Sequence, residues 1–300
     1  MQLPLIYQKI NALTFLKQWL LKIALIVVFL FSVSSLSYAQ QRPLLTEDVD
    51  IVETGSIRTQ IGIELLQKQK FSVSGLEGDV SRIGVVSFAF GLAPNVQFEV
   101  SGTLQNYLSI DRMGPSQIPL QLAPNALSTS DVGDFTLATK IKLRNETEKA
   151  PSVGFRFGVQ LPNTNQAKGL GLNTTNFFAS VLVGKKFFDK RLNVFGNLGL
   201  AILPAPLALF SQNDVTTYGI AGIYKVNPRF NLVGEVSGRF SSRKAQLGTE
   251  DLSQARFGIQ LMAAGLRFDL AGTKGLTDFS PKSGIIFGVT KDIKAFTPIR

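Results

Sequence analysis

Three features of the sequence predict an all-β protein, an antiparallel up-and-down transmembrane β-barrel of about twelve strands. They are a period-two alternation of apolar and polar residues, a regular exchange of short and long connections, and a composition poor in charge. Of the 300 residues, 45% are hydrophobic and only 17% charged, below the roughly 25% usual in soluble domains. High apolar content and the lack of low-complexity tracts exclude disorder. With no Cys there is no disulfide framework, thiolate metal site or Cys nucleophile. With no His there is no Ser-His-Asp chemistry, His-zinc site or His base.

The alternation is countable. Val96, Phe98, Val100, Gly102 and Leu104 share one parity, and Gln97, Glu99, Ser101, Thr103 and Gln105 the other. Phe135, Leu137, Ile141 and Leu143 alternate with Thr136, Lys140, Lys142 and Arg144. Val153, Phe155, Phe157, Val159 and Leu161 alternate with Gly154, Arg156, Gly158 and Gln160, and Leu232 and Val236 with Asn231 and Glu235. Such spacing gives each strand one apolar and one polar face, and no segment after residue 40 has a convincing helical period.

Turn signals place strands near 55–71, 80–92, 95–109, 132–145, 151–162, 174–187, 191–203, 214–226, 229–241, 253–262, 265–274 and 283–294. Short connections fall at Ala93-Pro94-Asn95, 145–150, Asp189-Lys190, Asn227-Pro228 and Ala263-Ala264, and longer ones at 110–131, 163–173, 204–213, 242–252 and 275–282. Short turns on one rim and long loops on the other are the pattern of an outer-membrane barrel, and an even strand count puts both termini at the short-turn rim. A soluble barrel hides its apolar face. Here the polar face is rich in Gly, Ser, Gln, Asn and Arg and has few of the exposed Lys/Glu pairs that keep a sheet in solution, so the apolar row is expected to meet lipid and the polar row a water-filled lumen.

Residues 1–39 read as a cleaved secretory signal: Lys9, Lys17 and Lys22, an apolar run over 23–31, then Ser37-Tyr38-Ala39 at the cleavage point. An uncleaved anchor is the other reading of this stretch. Removing it takes the basic count from 31 to 28 against 21 acids and takes away Trp19. Residues 40–54 form an N-terminal segment short enough to enter the barrel as a plug, and 55–300 form the barrel. The acidic start Glu47-Asp48-Val49-Asp50 has oxygens for a hard cation, but a solvated lead-in to the first strand is the plainer expectation.

On this register the lumen-lining candidates are Arg58, Glu64, Glu99, Lys140, Arg156, Glu235, Arg239 and Arg256, joined by Lys142, Arg144, Arg267 and Asp269. Eight cations against four acids would favour anionic solutes; alternatively these charges pair across strands and stiffen the barrel. Lys140, Lys142 and Arg144 also approach the short-turn rim, where headgroups lie. Gly169-Leu170-Gly171 and the glycines of 75–84 lack any Walker Lys-Ser/Thr pair or strand–loop–helix context, and no basic stretch interleaved with aromatics suggests nucleic acid. Asn145-Glu146-Thr147 and Asn173-Thr174-Thr175 match a glycosylation pattern frequent by chance. No catalytic residue, metal or cofactor is expected.

The segment Arg42-Pro43-Leu44-Leu45-Thr46-Glu47-Asp48-Val49-Asp50 with Gly55, then Gly133-Asp134-Phe135-Thr136-Leu137 with Lys140, Gln160-Leu161-Pro162, Gly169-Leu170-Gly171 and Asn197-Leu198-Gly199, resembles a family of outer-membrane β-barrels ascribed to transport in the phenol meta-cleavage (MetA) pathway, distantly like fatty-acid and toluene channels. The likeness spans roughly 42–294. It implies an outer-membrane channel or transporter for small solutes, hydrophobic or aromatic compounds among them, while the missing His argues against an enzyme. Its partners would be membrane lipids, those solutes and the barrel-assembly machinery. A structural or binding barrel with a filled lumen and loop-mediated contacts through 110–131 and 242–252 is the alternative. Two features depart from the pattern. The mature chain keeps only Tyr107, Tyr218 and Tyr224 besides Phe for an interfacial girdle, with Phe187 and Phe188 as candidates, and it ends on Phe296-Thr297-Pro298-Ile299-Arg300 instead of a terminal aromatic.

Overall fold

The computed structural model describes residues 42–297 apart from 208–210 and 242–244; the signal-peptide reading lies outside the described residues. The strands are β1 (Ser56–Lys70), β2 (Leu76–Ala93), β3 (Val96–Met113), β4 (Ser128–Asp131), β5 (Thr136–Arg144), β6 (Ser152–Gln160), β7 (Asn176–Phe187), β8 (Leu192–Pro204), β9 (Gln212–Asn227), β10 (Phe230–Phe240), β11 (Leu252–Ala263), β12 (Leu266–Gly275) and β13 (Ser283–Lys294). Each barrel strand pairs antiparallel with the next, and β1 closes on β13 from Ser56↔Lys294 to Gln67↔Ser283. Closure pairs every strand but the short β4 on both sides. β4 and β5 are two pieces of one stave, both paired to β3: Asn106–Ser109 with β4, Val96–Ser101 with β5. The barrel therefore has twelve staves.

That interruption departs from the continuous strand predicted from residue 132, and Asp134 explains it. Its carboxylate accepts from the Asn163 and Thr164 amides and from Gln160 Nε2, at 2.9–3.0 Å. A side chain so engaged with the next loop pulls its own backbone out of the ladder. The second departure is the height of β2 and β3, 18 residues each. Leu76, Val80 and Leu108 at their long-loop ends bury against Leu66, with Leu120, Leu122 and Leu170 from the loops packed on them; Gly78, Asp79 and Ser81 mask this extension in the sequence.

The outward row is mainly apolar: Leu198 is 64% and Phe257 68% exposed, with Ile61, Ile63, Leu65, Leu200 and Ile220 alike. The inward row holds the buried charged and amide residues. A barrel oily outside and polar inside suits a bilayer and not water. Phe187 and Phe188 are exposed beside the short turn after β7, in position for an interfacial girdle. Tyr218 instead bonds Ser253 Oγ at 2.7 Å and packs on Phe240. The lumen is less uniformly polar than alternation predicts, for Phe195, Ala221, Ile223 and Val233 face inward and enclose Leu44, and Ala201, Leu203 and Val215 form another apolar patch with Phe178.

Candidate functional site

The segment ahead of β1 lies inside the barrel. Followed backward from β1, it makes almost a full circuit of the wall. Its last residues meet β2 and β3, where Val52 N donates to Gln97 Oε1 at 2.8 Å. Asp50 then meets β5 and β7, Asp48 and Glu47 meet β8, Thr46 and Leu45 meet β10, and Pro43 and Arg42 reach β11 and β12. Arg42 finally lies against Gly62 on β1.

This segment has no strand neighbour, so its buried backbone groups need partners from side chains of the wall. Glu235 accepts from the amides of Leu45 and Thr46, both at 2.8 Å. Asn197 grips Glu47 from both sides, accepting from its N–H at 2.7 Å and donating to its carbonyl at 2.8 Å, as a neighbouring strand would. Arg256 donates to Pro43 O at 2.8 Å and Gln260 to Arg42 O at 2.6 Å. The amides and acids of the inward row are therefore a receptor for a peptide as well as a polar wall.

The acids of the segment meet the cations of the wall. Lys142 and Lys186 both bond Asp50, at 2.9 and 2.6 Å. Lys140 bonds Asp48 O at 3.0 Å and lies 3.5 Å from Glu47, and Arg156 lies 3.5 Å from Glu47 and 2.9 Å from Glu99. Asn193 donates to Asp48 at 2.7 Å. The solvated acidic lead-in expected from sequence is thus corrected: Glu47 and Asp48 are buried, because the wall presents the cations that neutralise them. Burial pushes the carboxyls of both above their ordinary range, with neighbouring Glu99 and Asp50 adding to it. Burial acts on Asp50 too, but the hydrogen bonds from Lys186 and Lys142 outweigh it and hold that carboxyl below its ordinary range.

The sequence-chosen residues divide by level. Glu64, Glu99, Arg156, Arg239 and Arg256 line a cavity of about 740 Å³ bounded on one side by residues 42–47. Arg58, Lys140 and Glu235 are buried but do not line it: Arg58 pairs with Asp292 at 2.6 Å, and the other two hold the segment. Glu64 pairs with Arg82 at 3.1 Å, and Arg267 with Asp269 at 2.9 Å. Arg144 is exposed at the short-turn rim and donates to Pro151 O, so it leaves the lumen inventory. The expected cation excess is largely taken up by Glu47 and Asp50, which lie outside the strands read from sequence, and by Asp292 on β13, which the sequence reading left out of the lumen.

The long loops converge over the opposite end. Gly248 N donates to Ser72 Oγ at 2.9 Å, Ser74 Oγ to Gly169 O at 2.8 Å, and Gln121 N to Ala167 O at 2.9 Å. These loops therefore lean on one another at the end away from residues 42–52.

Two wall glycines leave room for the segment. A methyl group on Gly219 would sit 2.5 Å from Thr46 Oγ1, and one on Gly62 would sit 2.6 Å from Arg42 Nη1. Gly219→Val is expected to unseat the segment at a cost of about 1–3 kcal/mol. The check is chymotrypsin digestion of the folded barrel, with cleavage at Leu44–Leu45 in the variant and protection in the parent chain.

No protein-family model matches the chain, and no curated protein matches it significantly. Among solved structures it is similar to an outer-membrane channel from Pseudomonas putida F1, with 14% identity over 82% of this chain and 98% of that one and a TM-score of 0.59. That likeness is one of fold. The translocator domain of the autotransporter NalP from Neisseria meningitidis aligns with a TM-score of 0.45 at 12% identity, over 81% of this chain and 90% of that one. The CymD monoaromatic hydrocarbon channel aligns at 0.38 and 10% identity, over 82% and 90%.

Proposed function

We propose that the chain is a non-catalytic outer-membrane channel, inserted by the barrel-assembly machinery, that is closed at rest by residues 42–52 and passes small solutes when that segment leaves its seat. The observation that carries this reading is a lumen segment whose backbone and acids are held by polar and ionic contacts to the wall, beside the apolar seats of Leu44, Val49 and Val52. Such contacts exchange for water at modest net cost, whereas a segment built only to fill a core would be apolar. The oily outer row and the axial cavity support the same reading, as does a sequence without His or Cys. The resemblance to the phenol meta-cleavage family directs the choice of solute toward hydrophobic and aromatic compounds.

The convergence of loops over the far end favours a second reading, a binding barrel that never conducts. Liposome uptake of labelled benzenesulfonate, an aromatic anion that lipid excludes, separates the two. Entry faster than into protein-free vesicles is expected. Entry no faster than that, both for the full chain and for a chain lacking 42–52, would overturn the channel and leave the binding barrel.

A further inference from the structure

We infer that the cavity beside residues 42–47 is a binding site for a small amphipathic organic acid, its single carboxylate held near Arg42–Thr46 and its apolar body directed toward the long-loop end. As an account of what the channel carries, this rests on the reading above; the site itself can be tested apart from transport.

Gln60 Nε2, Arg256 Nε, Ser237 Oγ and Thr46 Oγ1 are buried and have no hydrogen-bond partner. All four residues line the one cavity, and each is no more than 6% exposed. Buried polar groups are nearly always paired, so four orphans on one cavity wall mark a place for a ligand. Two of them, the amide and the guanidinium nitrogen, can only donate, and the hydroxyls donate by rotation. The carboxylate oxygen closest to Arg256 Nε, Glu235 Oε1, is 3.7 Å away, beyond hydrogen-bond reach. The one other orphan among the described residues, Asn106 Oδ1, is an acceptor and does not line the cavity.

The donors belong to one neighbourhood. Arg256 binds Pro43 O, Thr46 packs on Gly219, and Gly219 is the ladder partner of Ser237. Gln60 is two residues from Gly62, against which the Arg42 guanidinium lies. Arg42 and Arg239 also line the cavity, and neither has a carboxylate within 4 Å among the described residues.

Charge fixes the valence. Arg42, Arg82, Arg156, Arg239 and Arg256 line the cavity against Glu47, Glu64, Glu99 and Asp134, leaving one unit of positive charge. A monoanion cancels it; a neutral solute leaves the donors unpaired, and a cation adds to the surplus. The remaining lining is apolar, from Leu66, Phe71, Phe178, Leu252 and Phe279, and the volume is that of a small-molecule pocket. The occupant therefore has an anionic head and an oily body.

The test is calorimetric titration of the full chain in detergent with three ligands that differ only in the head group: 4-phenylbutyrate, 4-phenylbutanol and 4-phenylbutylamine. The carboxylate is expected to bind saturably, one per barrel, at least about tenfold tighter than the alcohol and the amine. Gln60→Met and Ser237→Ala each remove an orphaned donor without stranding a partner. Each is expected to weaken the carboxylate about tenfold, to leave the alcohol unchanged and not to lower the thermal unfolding temperature. Equal affinity for the three heads, unaltered carboxylate affinity in both variants, or no saturable carboxylate binding overturns the inference. Carboxylate binding without any liposome flux overturns the channel reading and leaves this site standing, and flux with no head-group preference does the reverse.

Discussion

Deleting residues 42–52 is expected to raise single-channel conductance at least about tenfold and to make the open barrel anion-preferring. Both effects follow from the circuit the segment makes. It crosses the lumen from β3 to β12, so its removal clears the cross-section at the short-turn end. It also takes away Glu47, Asp48 and Asp50 with one cation, Arg42, and returns Lys140, Lys142, Lys186 and Arg156 to a water-filled interior. The wall does not collapse, because Glu235, Asn197 and Gln97 are rehydrated when the peptide they hold departs, and closure of β1 on β13 does not involve the segment. Recordings in planar bilayers with a salt gradient give both quantities: the current step and the sign of the reversal potential. A deletion that leaves the current unchanged, or a reversal potential of cation-selective sign, would contradict this account of closure.

That selectivity marks where the sequence could be read and where it could not. Period-two alternation is a local property, so the twelve staves and the side that most strand residues face were legible. Arg156 and Glu99 were placed inward by counting alone. Parity does not say what an inward residue meets. Glu235 holds amides 189 and 190 residues away, and Asn197 holds Glu47 across 150, and no local signal carries a contact of that span. The same blindness made Asp48 look solvated and the lumen look cationic. Inward Phe195, Ile223 and Val233 break the polar alternation because Leu44 docks on them, and such breaks are a sequence trace the segment leaves on the wall, as are Gly62 and Gly219. The split stave was hidden for a different reason: Val132 and Phe135 keep strand parity, while the bonds that Asp134 makes to the following loop decide the backbone path.

Asp50→Asn is expected to loosen the segment more than any other single side-chain change in it, because Asp50 alone holds two ammonium groups, Lys142 and Lys186. Removing one partner of a buried pair costs about 3–5 kcal/mol; partial exposure of these groups brings the expectation to about 2–3 kcal/mol. The pH profile gives the sharper result. The seated Asp50 carboxyl lies below its ordinary range, so its contribution to seating is complete above the ordinary Asp value of about 3.9 and is lost as pH falls through the lower, seated value. Glu47 and Asp48 have the opposite sign. Their seated carboxyls lie above the ordinary range, so the ionised forms oppose seating, and that opposition is relieved as pH falls through the raised values. Current through the full-length barrel is therefore expected to fall on mild acidification and to rise again below the ordinary carboxylate range. In Asp50→Asn the baseline current is higher and the acid rise is absent. In Glu47→Gln the first fall is reduced and the acid rise is kept. A current that rises monotonically from neutral pH downward, in the parent and both variants alike, would mean that the ion pairs of this segment do not set its seat.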